Sequence, residues 1–330
     1  MNHDQPSHPD RHEATDQPDP SPPDLAPDLA HPDPLTYAVL VTGCSSGIGR
    51  ATAQRLHQGG YPVYATARRL EVLDDLAAAG MTTLVLDVTD EGSMRAAVDR
   101  VVADHGAVSV LVNNAGYALQ GTVEETPLDQ VRRQFDTNVF GLVRLTQLVL
   151  PGMREQGWGR VVNIGSMGGR FTFPGGGFYH ASKHAVEAIS DALRLEVAPF
   201  GVKVSLVQPG PVRSGFEQTA VATIDASAGT GADGSGIDAG PYGQFHQDLA
   251  DRIAAAYGDR RADLNVTADD VAQVVARAVT SDHPRARYAV GVLAKTMITT
   301  RRLTPDPLWD RIVKGAWPTP VARPGGRALS

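Results

Sequence analysis

The stretch YAVLVTGCSSGIGRATAQRLHQGG, residues 37–60, carries the prediction of the fold. It begins as a short apolar run, turns through Gly43, Gly47 and Gly49, and continues as an amphipathic segment. A strand, a glycine-rich turn and a helix in this order predict the start of a parallel α/β domain. The glycines permit a tight turn, a close backbone approach to a pyrophosphate and close helix packing, and the helix N-terminus supplies free N–H groups.

The same alternation continues along the chain. Further apolar runs are YPVYATA, TTLVLDV, SVLVNNAG, GRVVNIGS and VKVSLVQPG, each followed by a helical segment, with RYAVG as a last strand. This order predicts a single doubly wound parallel sheet of the Rossmann type, with helices on both faces and ligands at the carboxyl ends of the strands. We also predict a helix capped by Thr267 and a short closing helix in DPLWDRIVKGA.

Composition divides the chain into two parts. Residues 1–34 contain nine prolines and eight acidic residues against Arg11, so we expect a disordered tail. Residues 35–330 form the single predicted domain, with a variable segment at about 211–265. Within that segment, the small and glycine-rich residues 222–243 predict a loop.

Charge and cysteine content limit the possible partners. The net charge of −7 resides in the tail, and residues 35–330 hold 29 basic and 29 acidic residues. A neutral body without a basic stripe argues against nucleic acid as a partner. Cys44 is the only cysteine, which excludes an intramolecular disulfide, and we expect no metal site. No apolar stretch predicts a signal peptide or a membrane span, so we expect a cytoplasmic protein.

Tyr179 and Lys183 stand four residues apart in GFYHASKHA, in a chain with 26 Arg and only 4 Lys. On a helix these two side chains would share one face, where an ammonium favours the phenolate. Arginine does not reproduce the compact charge of lysine. Alternatively, Lys183 is a solvated helix residue and Tyr179 a half-buried aromatic. The pair alone leaves both interpretations open.

Three strand ends suggest contacts to a cofactor. The second strand ends in Ala67 and Arg68, with no acid to bind a ribose 2′-hydroxyl, which favours NADP(H) over NAD(H). The alternative is that Arg68 is an ordinary surface charge. Asp87 ends the third strand and either accepts from an adenine amino group or helps to cap the next helix. NNAG, residues 113–116, ends the fourth strand, where small residues admit a ribose; its Asn side chains could equally tie strands together.

TGCSSGIG, NNAG, Asn138, Ser166 and YHASK in this order resemble the short-chain dehydrogenase/reductase family, over residues 36–214. The resemblance implies that Tyr179 is the acid/base, that Ser166 orients the substrate oxygen and that Asn138 supports a proton-relay water. It also implies that Lys183 lowers the tyrosine pKa and holds the nicotinamide ribose. PGPVRS resembles the carboxamide-binding turn of the family. The predicted NADP(H) contacts are Gly43, Ser45, Ser46, Gly47, Ile48, Gly49, Arg68, Asp87, Asn114, Ala115, Gly116, Tyr179, Lys183, Pro209, Gly210, Val212 and Ser214.

The segment MGGRFTFPGGGF, between Ser166 and Tyr179, would run past the reacting carbon. It predicts substrate contacts from Met167 and Phe173 beside Ser166 and Tyr179. An apolar wall of this kind fits a hydrophobic ketone or secondary alcohol, such as a steroid, a retinoid or an acyl lipid. Alternatively, these aromatics pack inward as core. The long C-terminal part resembles the hydroxysteroid dehydrogenase and acyl-dihydroxyacetone-phosphate reductase-like branch, and we expect a homodimer or homotetramer.

Two other classes of function compete with this interpretation. GSMG superficially resembles the nucleophile elbow of a hydrolase, but Ile164 stands where that pattern needs a glycine. A catalytically weak, NADP(H)-binding regulatory protein would retain the fold without the activity. The presence of all four expected side chains, Asn138, Ser166, Tyr179 and Lys183, argues against the regulator.

Overall fold

The computed structural model describes residues 36–213, 220–224, 241–257 and 266–321. The tail 1–34, Ser214 and much of the variable segment lie outside the described residues, so the predictions made for them stay predictions. The described residues all belong to one compact unit, Asp33–Ser330.

Seven parallel strands form the main sheet. They are β1 (Val39–Val41), β2 (Val63–Ala67), β3 (Thr82–Val85), β4 (Val110–Asn113), β5 (Gly159–Ile164), β6 (Val202–Pro209) and β9 (Arg287–Val290). Their order across the sheet is β3-β2-β1-β4-β5-β6-β9. Two short strands, β7 (Val212–Arg213) and β8 (Val266–Thr267), pair separately beyond the carboxyl end of β6. The predicted doubly wound parallel sheet is confirmed.

Ten α-helices begin and end within the described residues: α1 (Gly47–Gln58), α2 (Asp74–Ala78), α3 (Glu91–His105), α4 (Leu128–Phe135), α5 (Leu142–Glu155), α6 (Gly177–Val197), α7 (Gly243–Tyr257), α8 (Ala268–Thr280), α9 (Val292–Leu303) and α10 (Asp306–Ala316). A π-helical turn, Asp136–Gly141, joins α4 to α5. A further helical turn occupies residues 220–224.

The sheet is buried on both faces because its apolar side chains alternate between two cores. Val39 and Val41 point into the core under α1 and α8, whereas Leu40 points into the core under α3 and α5. Parallel sheets covered by helices on both sides have this near-continuous apolar character. Because helices cover both faces of the sheet, the ends of the strands remain as the position for a ligand site.

The elements predicted for the C-terminal part are confirmed. Thr267 caps α8 in a capping box with Asp270, and the predicted closing helix is α10. The variable segment contains more helix than its composition predicts, since residues 222–224 are helical and α7 begins at Gly243. Ile224, inside the predicted loop, is buried in one cluster with Phe245 and Leu249 of α7, so tertiary packing overrides the local composition at residues 222–224.

Two kinds of feature are absent from the part of the chain that the structure describes. None of its helices is long and apolar enough to cross a membrane. Its His, Cys, Asp and Glu side chains form no group of three or more that could hold a metal ion.

A buried carboxylate fixes the middle of α6 to the sheet. Glu187 accepts from Gln208 of β6 and from Arg287 Nε of β9 at 2.9 Å. The guanidinium of Arg287 also pairs with Asp191, one turn further along α6. Because Glu187 is only 6% exposed, these donors replace the hydrogen bonds to water that its side chain lacks.

We expect Arg287→Ala to lower the free energy of unfolding by about 1–3 kcal/mol, because it leaves a buried carboxylate short of its main partner. Urea denaturation measures this change. Arg95→Ala is the control, since Arg95 and Glu91 form an exposed pair and its loss should cost less than about 0.5 kcal/mol. Equal effects of the two variants would show that the Glu187 network contributes no more than a surface pair.

Candidate active site

The glycine-rich turn connects β1 to α1 in a conformation that requires glycine. Gly43 and Gly47 have φ of +72° and +57°, a region that residues with a Cβ avoid. Ser46 is the N-cap of α1, and its side chain makes no cap hydrogen bond. The first amides of α1 therefore remain available for an anion, as the sequence predicts for a pyrophosphate.

Gly49 has a different role from the other two glycines. A Cβ at this position would lie 2.4 Å from the Gly43 carbonyl oxygen and 2.4 Å from Asn114 Nδ2. Gly49 is thus the point where α1 packs directly on the turn and on the end of β4. It is not among the residues that line the cleft described below, so the structure supports the packing role, and the cofactor contact of Gly49 stays a prediction.

The two asparagines of NNAG tie neighbouring strands together. Asn114 Nδ2 donates to the carbonyl of Thr42 at 2.8 Å, and Thr42 Oγ1 accepts from the amides of Asn114 and Ala115 at 2.9 and 3.0 Å. Asn113 Nδ2 donates to Asn163 Oδ1 at 2.9 Å, which joins the ends of β4 and β5. The strand-tying interpretation holds for both, although Asn114 also lines the cleft.

A cleft of about 1130 Å³ opens at the carboxyl ends of the strands. Most of the predicted site residues line it: Gly43, Ser45, Ser46, Gly47, Ile48, Arg68, Asp87, Asn114, Ala115, Gly116, Ser166, Met167, Phe173, Tyr179, Lys183, Pro209, Gly210 and Val212. Gly49 and Asn138 are not among its lining residues, and Ser214 is not described. One continuous cavity therefore joins the glycine-rich turn to the Tyr179 region.

At the cofactor end of the cleft, Arg68 and Asp87 follow neighbouring strands. Arg68 comes directly after β2 and is exposed in the cleft, with Arg69 beside it. Asp87 Oδ1 accepts from the amide and hydroxyl of Thr89, at 2.9 and 2.8 Å, while Asp90 caps α3. Asp87 thus closes the turn before α3 and still faces the cleft.

Tyr179, Ser166 and Lys183 come together where β5 ends and α6 begins. Ser166 makes a side-chain hydrogen bond with Tyr179, and its Oγ accepts from the amide of Gly168 at 3.0 Å. Lys183 Nζ donates to the carbonyl of Ile164 at 2.9 Å and lies 6.0 Å from the centroid of the Tyr179 ring. The shared helical face expected for the pair is present, and Lys183 is buried rather than solvated.

Burial controls the acidity of both side chains. Burial raises the pKa of the Tyr179 phenol. The hydrogen bond with Ser166 lowers that pKa, but by less than burial raises it. Burial also lowers the pKa of Lys183 to about 8. The expected lowering of the tyrosine pKa by Lys183 is therefore not seen here, because desolvation favours the neutral form of each group.

Asn138 lies in the π-helical turn, a feature that is frequent at functional sites. Its Oδ1 accepts from the amide of Tyr117 at 3.1 Å, and its Nδ2 donates to the Tyr117 carbonyl at 2.9 Å and to Ser182 Oγ at 3.2 Å. The side chain is buried and joins the loop after β4 to α6. A proton relay through this position stays a prediction.

Apolar side chains line the other end of the cleft. Met167, Phe171 and Phe173 face it, and Phe173 stacks on Trp317 with ring centroids 4.5 Å apart. Phe171 also packs inward against Trp309, so part of the aromatic wall is core. Several further residues line the cleft without having been predicted, because no local sequence pattern marks them. They are Gln120, His180, Arg252, Ile253, Leu293, Met297, Ala316 and Trp317.

Comparison with known proteins assigns the family. The short chain dehydrogenase pattern matches residues 37–225. The 3-ketodihydrosphingosine reductase of Bacteroides thetaiotaomicron is 45% identical over 54% of this chain, and the match spans 65% of that relative, just under two thirds. The NADPH-dependent 3-dehydrocapnine reductase of Ornithobacterium rhinotracheale is 34% identical over 84% of this chain and 96% of its own length.

Solved structures agree with this assignment. A short-chain dehydrogenase from Streptomyces avermitilis is 35% identical, with a TM-score of 0.68 over 84% of this chain and 97% of its own. Serine dehydrogenase complexed with NADP+ is 27% identical, with a TM-score of 0.65 over 78% and 95% of the two chains. A Burkholderia phymatum member holding NAD shares the fold at 24% identity, with a TM-score of 0.68 over 87% and 97%. The chain belongs to the short-chain dehydrogenase/reductase family, which is a family of oxidoreductases.

We expect Gly49→Ala to lower the free energy of unfolding by about 1–3 kcal/mol, because the added methyl overlaps backbone atoms that cannot move aside. Thermal or urea unfolding measures the loss. Gly315→Ala is the matched control, since a Cβ there meets nothing within 4 Å and should be neutral or slightly stabilising. Equal stability of Gly49→Ala and the unaltered protein would contradict the packing role.

Proposed function

We propose that this protein uses NADP(H) to interconvert a hydrophobic ketone and its secondary alcohol, with Tyr179 as the acid/base. The observation that carries this proposal is the position of Tyr179 in the cleft. Its phenol lies beside Ser166, between the glycine-rich turn and the aromatic wall. A substrate carbonyl at that point would have polar partners on one side and apolar side chains on the other.

The residues of the cleft fit a nicotinamide dinucleotide. The turn brings backbone amides to the start of α1, and the absence of a Cβ at Gly43 and Gly47 permits their conformation. When bound, the dinucleotide supplies or accepts a hydride. Arg68 would pair with a 2′-phosphate, and Lys183, buried near Gly116, would donate to a ribose hydroxyl. The relative named NADPH-dependent supports the choice of NADP(H).

The side chains around Tyr179 are suited to moving one proton. Carbonyl reduction creates an alkoxide, which needs a donor within hydrogen-bond reach. Burial raises the pKa of Tyr179, so the phenol holds its proton at neutral pH and can deliver it. Ser166 would donate to the same oxygen, with its own Oγ held by the Gly168 amide. Lys183 would stabilise the phenolate left behind.

The apolar end of the cleft supports a hydrophobic substrate. Phe171, Phe173, Met297 and Trp317 together offer a wall that would cover an alkyl chain. One relative is named a 3-ketodihydrosphingosine reductase and another a 3-dehydrocapnine reductase. Of the predicted classes, the acyl-lipid type is therefore the one we favour over a steroid or a retinoid.

We expect NADPH oxidation with a homologous series of aliphatic ketones, with kcat/KM rising steeply with chain length. Each buried methylene contributes about 0.8 kcal/mol, so two added methylenes should raise kcat/KM by about tenfold.

Tyr179→Phe should lower the rate by about 100-fold or more while leaving NADPH binding and the melting temperature nearly unchanged. Tyr288→Phe, a hydroxyl removed from β9 outside the cleft, is the matched control.

A flat chain-length series, or sugars reduced faster than ketones, would overturn the substrate class. More than a tenth of the rate retained by Tyr179→Phe would overturn the role of the phenol. If NADPH binds tightly but no carbonyl is reduced, the regulatory alternative is correct instead.

We expect NADPH to bind more tightly than NADH, and Arg68→Ala to reduce that preference by about 10- to 100-fold, because it removes a charge-assisted contact to phosphate. Fluorescence titration with both dinucleotides measures the ratio. Arg69→Ala, the neighbouring guanidinium, should change the ratio less. Equal affinity of the unaltered protein for NADPH and NADH would contradict the assignment of Arg68.

A further inference from the structure

The apolar half of the cleft contains polar side chains, and two of them approach the same point. They are Gln120, after β4, and His180, which follows Tyr179 on α6. His180 is 7% exposed, and the rings around it are Phe171, Phe173 and Tyr179. A nearly buried imidazole in aromatic surroundings must satisfy its two nitrogens or lose stability.

One nitrogen of His180 is satisfied and the other is not. Nδ1 lies 2.8 Å from the carbonyl oxygen of Gly168, and because a carbonyl only accepts, Nδ1 carries the proton. Nε2 is then a lone-pair acceptor, and it has no hydrogen-bond partner among the described residues. Burial lowers the pKa of His180 to about 4, so the ring stays neutral at physiological pH and keeps this acceptor.

The side-chain amide of Gln120 converges on the same place. A Cβ built on Gly176 would lie 2.8 Å from His180 Nε2 and 3.4 Å from Gln120 Oε1. His180 Nε2 and Gln120 Oε1 therefore approach the same glycine, no more than about 6 Å apart, and Gln120, His180 and Gly176 all line the cleft. The side chain of Gln120 makes no hydrogen bond among the described residues. Its backbone N–H donates to Thr223 Oγ1.

This pair of acceptors lies next to the reacting position. The His180 and Tyr179 ring centroids are 5.6 Å apart, and the Phe173 ring meets the His180 ring edge-on at 5.7 Å. A carbonyl held by Tyr179 would thus place the substituents of its neighbouring carbon near His180. The alkyl chain would continue along Phe173 and Trp317, whose stacked rings border the same part of the cleft.

We infer that His180 and Gln120 recognise a hydrogen-bond donor, an amino or hydroxyl group, on the carbon beside the ketone. This inference rests on the proposed function, because it takes Tyr179 as the position of the carbonyl. A site that holds a buried acceptor discriminates against an analogue without the donor, since that analogue leaves the acceptor unpaired. Gly168 supports the arrangement, because a Cβ there would meet His180 Nδ1 at 2.6 Å.

The test compares three ketones of one chain length: the unsubstituted ketone, its α-hydroxy derivative and its α-amino derivative. We expect kcat/KM to be at least about tenfold higher for one or both substituted ketones, and the two derivatives show which donor is preferred. His180→Asn keeps a donor for the Gly168 carbonyl but has no atom at the Nε2 position. It should remove most of this preference, by about tenfold, so that the substituted ketones lose more of their kcat/KM than the unsubstituted ketone does. Gln120→Met, similar in size, should reduce the preference further.

A wild-type protein that treats the three ketones alike would overturn the inference. It would also fail if His180→Asn slows all three equally, which is the result expected if the ring only holds Gly168 in place. A second readout needs no turnover: the rise in melting temperature of the NADP+-loaded protein with the product alcohols. The donor-bearing alcohol should stabilise more than the plain one, and His180→Asn should abolish the difference. If this binding preference is seen but no ketone is reduced, the proposed function fails and the recognition site stands; without the preference, the site fails.

Discussion

A chain of buried hydrogen bonds at the carboxyl edge of the sheet fixes everything around the cleft. Thr146 accepts from Asn113, Asn113 donates to Asn163, and Asn163 donates to Ser190 of α6, at 3.0, 2.9 and 2.9 Å. Beside it, Asn114 binds the end of β1. In a low-dielectric interior such a network is stable only when each member has its hydrogen-bond partner. It therefore fixes how far β1, β4, β5 and α6 are shifted along the strand direction relative to one another.

The position of α6 against the sheet in turn places the side chains of Tyr179 and Lys183. With Ser190 held by Asn163 and Glu187 held by Arg287, the first turns of the helix bring Lys183 to the Ile164 carbonyl and Tyr179 to Ser166. Both ionisable side chains are buried, and desolvation shifts the pKa of each toward its neutral form. The reduction that we propose needs this state of the tyrosine, because the phenol must still hold the proton that the alkoxide would take.

The polar end and the apolar end of the cleft are built from different parts of the chain. The sheet and the first turns of α6 carry the polar end of the cleft. The apolar end is assembled from the Ser166–Tyr179 connection, α7, α9 and the residues after α10, which meet only in the folded protein. Trp317 holds these parts together by donating to the Pro174 carbonyl at 3.0 Å and stacking on Phe173. The apolar end therefore does not share its supporting elements with the hydrogen-bond network that positions Tyr179 and Lys183.

The sequence by itself determined the features that depend on local pattern: the strand and helix alternation, the glycines of the turn, the capping of α8 and the Tyr179–Lys183 face. Each follows from spacings of a few residues, which backbone geometry converts directly into structure. Only the tertiary structure decided that Gly49 packs against Asn114 rather than lining the cleft, that the Asn138 side chain binds Tyr117, and that α7 forms beside a glycine-rich stretch. The approach of His180 and Gln120 to the same glycine, Gly176, belongs to the same class, because the proximity of residues 60 positions apart depends on how the layers pack, which no local spacing encodes.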